Sequence, residues 1–133
     1  MQITVVNKPR KGSNGAVYIG RGGRGLAGSA LANPRRLGDP RPGGGVWQRG
    51  ETITLFEQDL RRVLDPALPT AQWWDGRRGE YRWLSAAERE AIRDEVQRLL
   101  ALARGGPLEL DCFCSPLACH GDVIRTLLEE LAG

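Results

Sequence analysis

The sequence predicts an α/β fold: one small layered domain over residues 1–133, with a mainly parallel sheet flanked by helices. Three observations predict it. Short β-branched segments stand far apart in the chain, the amphipathic stretches between them have helical period, and the last third runs helix, glycine turn, strand, turn, helix. A length of 133 residues supplies one hydrophobic core and is short for two.

QITVVN opens the chain as an alternating strand segment, and AVYIG repeats that signature after the turn-rich KPRKGSNG. The two either pair as a hairpin or lie parallel in a larger sheet. Residues 21–50 are a long Gly/Pro/Arg-rich loop, because glycine and proline deny helix and central strand any continuous run. So long a loop in so small a domain is either mobile or wrapped around a ligand. In ITLFEQDLRRVL, Leu55, Leu60, Val63 and Leu64 recur at near-helical spacing, with acids early and arginines late. Thr52 or Thr54 is the expected N-cap, and Asp65 and Pro66 the stop. The stretch from Pro66 to Trp83 holds three of the four tryptophans. Adjacent Trp73 and Trp74 cannot both face one core from an extended segment; core packing is the expectation, with contact to a ligand, a partner or another part of the surface the alternative for one of them. Ser85 with Glu88 forms a capping box for AAEREAIRDEVQRLLALAR, whose stripe of Ile92, Val96, Leu99, Leu100 and Ala103 ends at Gly105 and Gly106. PLELDCFC then reads as a strand and GDVIRTLLEELAG as a terminal helix.

The formal charge is +3, but nine basic residues, among them Arg21, Arg35, Arg36 and Arg49, precede the first acidic helix. That half of the chain is expected to face anions: phosphate, a nucleotide-like small molecule or nucleic acid. No apolar run approaches the roughly 20 residues of a membrane span, and no signal peptide opens the sequence. A cytoplasmic protein without a membrane partner is the expectation, with reduced thiols, since three cysteines cannot all pair within one chain.

All three cysteines (Cys112, Cys114, Cys119) and the only histidine (His120) lie between positions 112 and 120. Strand alternation points Cys112 and Cys114 to one face, while Cys119 and His120 follow a Ser-Pro turn at the start of the last helix. A Cys3His zinc site is one reading, although C-x-C and an adjacent Cys-His depart from the usual knuckle gaps. The other is a metal-free site at the carboxyl end of the last strand, with Cys119, His120 and Asp122 as catalytic residues and Arg21, Asn33 and the Gly121 amide as ligand-binding groups. Nucleophilic hydrolysis, group transfer and glycosidic cleavage are the chemistries open to it. RGGRG lacks the pattern of a nucleotide-binding loop, so no ATP or NAD requirement follows; the cofactor is zinc or none.

VYIGR at Val17–Arg21, Asn33-Pro34 and above all LDCFCSPLACHGDVI at Leu110–Ile124 resemble domain-of-unknown-function family 4326, found in phages and bacteria. The resemblance spans nearly the whole chain and rests on the specific C-x-C-x-P-x-x-C-H-G-D signature. The family has a stretch like LGNPF after the YIGR strand, where this chain has Ala32 before Asn33 and Arg35 after Pro34. The resemblance implies an association with phage nucleotide or nucleic-acid metabolism and assigns no reaction. A nucleotide- or nucleic-acid-related enzyme acting at the signature is the expected function. The alternative is a nucleic-acid-binding or phage-type interaction protein with a structural zinc site: Arg21 to Arg49, Arg77, Arg78 and the Trp/Tyr cluster would contact nucleic acid, or an exposed Trp73/Trp74 patch a host factor.

Overall fold

The computed structural model describes residues 1–7, 16–22, 27–112 and 117–133. The elements run β1 (Ile3–Val6), β2 (Ala16–Tyr18), α1 (Arg49–Leu64), β3 (Gln72–Asp75), β4 (Glu80–Trp83), α2 (Ala86–Gly105), β5 (Leu108–Asp111) and α3 (His120–Ala132). Among them, β1, β5 and β2 form a parallel sheet in that order, with Ile3 opposite Leu108 and Val17 opposite Leu110. The α/β expectation is met, and its open question about the first two strands is answered. Instead of forming a hairpin, β1 and β2 flank β5, which has the apolar side chains for a central position: Leu108 and Leu110 are both buried. Helix α3 packs on β1, α1 and α2, and α2 also covers β5.

Helix α1 starts earlier than expected. Gln48 is its N-cap and makes no side-chain capping bond, while Thr52 sits buried one turn in and donates its hydroxyl to Arg49 O at 2.9 Å. The added turn gains Glu51, an acid near the positive helix end that also pairs with Arg41 at 2.8 Å. At the other end Arg89 of α2, itself buried, donates to the carbonyls of Val63 (3.0 Å) and Asp65 (3.0 Å). Those are carbonyls a helix terminus leaves without intrahelical partners. The Ser85/Glu88 capping box of α2 forms as the sequence requires, with both reciprocal bonds present.

The tryptophan-rich stretch is an antiparallel hairpin, β3 with β4, in which Trp73 faces Arg82 and Trp74 faces Tyr81. Asp75 Oδ1 accepts from the amides of Arg77 and Arg78, and Gly79 turns the chain at φ +68°. Alternation sends Trp73 to Phe56 in the main core, centroids 5.9 Å apart, and Trp74 to Trp47 and Tyr81 on the opposite side at 5.5 and 5.2 Å. Both tryptophans are buried, in keeping with core packing, but on two separate apolar surfaces; the alternative of an exposed Trp73/Trp74 patch is corrected, and Trp83, 65 % exposed, is the one at the surface.

Within the Gly/Pro/Arg-rich loop, residues 38–47 double back. Pro40 bridges to Val46, Trp47 N donates to Asp39 O, and Gly43, Gly44 and Gly45 take the tip at positive φ. No helix among the described residues is long and apolar enough to cross a membrane.

Candidate metal centre and adjoining cavity

Cys112 lies immediately after β5, Cys119 is the N-cap of α3 and His120 is the first residue of that helix. The end of β5 and the start of α3 meet in space, so knuckle spacing is not needed: the thiols of Cys112 and Cys119 and the ring of His120 lie within 4.8 Å of one another, all three residues buried. Tetrahedral zinc with two Zn–S bonds and one Zn–N bond separates such donors by roughly 3.5–3.8 Å, within side-chain adjustment of this arrangement.

His120 is held in the form a metal needs. Its Nε2 lies 2.8 Å from Ile19 O, and a carbonyl only accepts, so Nε2 carries the proton and Nδ1 presents its lone pair. Nδ1 faces Cys112 Sγ at 4.0 Å. Burial pushes the imidazole pKa below its ordinary value, with the Ile19 carbonyl opposing, which favours the neutral ring. Phe56 packs edge-on against the ring at 5.1 Å and fixes its plane. Cys119 is biased toward thiolate: the Cys112 thiol donates to it and the Gly121 amide reaches its Sγ at 3.3 Å, and against the opposing effect of burial these lower its pKa to about 7.

The cluster borders a cavity of about 670 Å³, lined by Arg21 and Asn33 together with Arg36, Asp39, Arg49 and Thr52, and by Cys112, Cys119 and His120 themselves. Arg21, Asn33, Cys119 and His120 thus surround one space, from three separate parts of the chain. Asp122 stands apart from it. Its carboxylate accepts the Cys119 amide at 3.0 Å, completing the α3 capping box, and is positioned to hold Cys119. The Gly121 amide is already taken by Cys119 Sγ, and a Cβ there would meet Val5 Cγ1 at 2.9 Å and Ile19 Cδ1 at 3.0 Å. Cys114 lies outside the described residues.

A model of the family described as Domain of unknown function (DUF4326) matches residues 5–130. The chain belongs to this family. No curated protein and no solved structure matches it.

In this DUF4326 domain the residue after Asn33-Pro34 is the centre of a second buried assembly. Arg35, 3 % exposed, donates to Asp59 Oδ2 and to Tyr81 Oη, each at 2.9 Å. Tyr81 closes the triangle by donating to Asp59 Oδ1 at 2.9 Å. Trp47, Trp74 and Tyr81 place their rings 5.2, 4.7 and 5.5 Å from the guanidinium carbon. Arg35 thereby ties the loop to α1 and to the hairpin, and sets the wall of the DUF4326 cavity. Asn33 fixes the same turn by accepting the Arg35 amide at 3.1 Å. The sequence singled out Asn33 but not this network, because an arginine before a helix reads as a surface charge. Its partners, the three rings of Trp47, Trp74 and Tyr81 and the helical Asp59, are scattered along the chain and only the fold brings them together.

Proposed function

We propose that this DUF4326 chain is a zinc-binding domain whose metal centre forms one wall of a pocket for a nucleotide-like ligand. The observation that carries the reading is the convergence of Cys112, Cys119 and His120, with Nε2 of His120 committed to Ile19 and Nδ1 left toward the thiols. Cys112, Cys119 and His120 would hold the ion, and Cys114 is the candidate fourth ligand. When bound, zinc would cross-link the end of β5 to the start of α3 and, with an open position, supply Lewis acidity at the cavity wall. Asp122 is a positioning residue, since its carboxylate fixes the Cys119 backbone. This reading makes Cys119 and His120 ligands in place of a nucleophile and a base.

Native mass spectrometry of protein purified without chelator tests it. One zinc per chain is expected, lost on Cys112→Ser, Cys119→Ser or His120→Ala; a metal-free wild-type chain would sink the reading. Cys114→Ser separates its two forms. Loss of the ion points to a closed structural Cys3His site, and retention to a three-ligand centre open to the cavity.

A further inference from the structure

We infer that the cavity recognises a phosphomonoester, the terminal phosphate of a nucleotide, with Arg36 and Arg49 as its anion-binding residues. The inference rests on the reading of this cavity as a ligand pocket and adds the chemistry it selects. At about 670 Å³ the space falls within the roughly 300–1,000 Å³ typical of small-ligand sites.

Its charge is unbalanced. Arg35 on the wall is matched by Asp59 at 2.9 Å, and among the described residues the single acid of the lining is Asp39. Neither Arg36 nor Arg49 forms an ion pair among the described residues. Arg49 is oriented by one donation, to Ala118 O at 3.2 Å, which leaves other N–H groups of its planar fork for an anion. Two guanidiniums that no described carboxylate pairs, in a concavity that excludes part of the solvent, favour a ligand carrying two negative charges.

A second feature points the same way. Arg49, Thr52 and Ile53 of the first turns of α1 line the cavity, and that helix begins with no side-chain cap. The partial positive charge of the α1 start, offset in part by Glu51, adds to the arginines. At α3, by contrast, Cys119 and Asp122 close the helix start themselves. Leu37 and Ile53 give apolar surface for the remainder of a ligand, and Asp39 offers an acceptor for a hydroxyl or amino group. A free nucleotide and a 5′-phosphorylated strand end share this chemistry.

Calorimetric titration of the full chain tests the assignment, using inorganic phosphate, the ribo- and deoxyribonucleoside 5′-monophosphates, the parent nucleosides, and a short oligonucleotide with and without 5′-phosphate. A monophosphate is expected to bind at least about tenfold more tightly than its nucleoside, with inorganic phosphate competing, and Arg36→Ala or Arg49→Ala to weaken it about tenfold or more. Arg36→Lys should restore part of the loss. Binding of the phosphorylated oligonucleotide alone would support the same phosphate chemistry and assign it to a strand end. No phosphate-dependent binding by any probe, or variants that bind like wild type, would overturn the inference. Zinc content measured on the same samples separates this failure from failure of the metal centre, since Arg36 is exposed and is not among the candidate ligands of the ion.

Discussion

Arg35 shows how one side chain can set a wall of a site without belonging to its chemistry. The Arg35 and Asp59 side chains are 1 % and 3 % exposed, so removing either partner strands the other charge in the interior. Arg35→Ala is expected to cost about 3–5 kcal/mol, because the desolvation of Asp59 remains while its partner is gone. Chemical denaturation of Arg35→Ala, Asp59→Asn and the double variant would check this, and the double variant should be less destabilised than the sum of the singles. Gly121 is a second residue whose role is steric. Gly121→Ala puts a methyl against Val5 and Ile19 beside the cluster, and a loss of about 1–3 kcal/mol in stability is expected from overpacking.

Helices α1 and α2 are joined by polar contacts that sequence patterning hides. Arg89 lies on the apolar stripe side of α2 yet is buried because the C-terminal carbonyls of α1 need donors. Replacing it with methionine keeps the aliphatic stem and removes the donors, so a loss of about 1–3 kcal/mol in urea unfolding is expected. The capping box at the other end of α2 predicts a pH effect. The Ser85 amide and Arg82 hold the Glu88 carboxyl below its ordinary 4.5. Its folded pKa being depressed, the stabilisation is fully present above that ordinary value and is lost as pH falls through the folded one. Glu88→Gln should flatten the acid limb of a Tm-against-pH profile relative to wild type, whereas equal slopes would exclude a role for this carboxylate.

For the molecule as a whole, the metal would bind to a folded chain, so its removal should lower stability by linkage. Chelator is expected to lower the Tm of wild type and to leave Cys112→Ser unmoved. Hydrogen exchange should then quicken first at the β5–α3 junction, where the ligands sit on adjoining elements. The sequence by itself determined much of this protein: the capping box and stripe of α2, the strand character of the segments that became β1, β2 and β5, and the confinement of thiol and imidazole chemistry to 112–120. Each of these is a local pattern of propensity or spacing. Only the tertiary structure decided that β5 lies between β1 and β2, that Trp73 and Trp74 fill different surfaces, and that Arg35 finds Asp59 24 positions away. It also decided that His120 meets the Ile19 carbonyl across 101 positions and so presents Nδ1 to the thiols. Such partners are selected by burial and by the need to satisfy polar groups removed from water, quantities that depend on which distant segments come together.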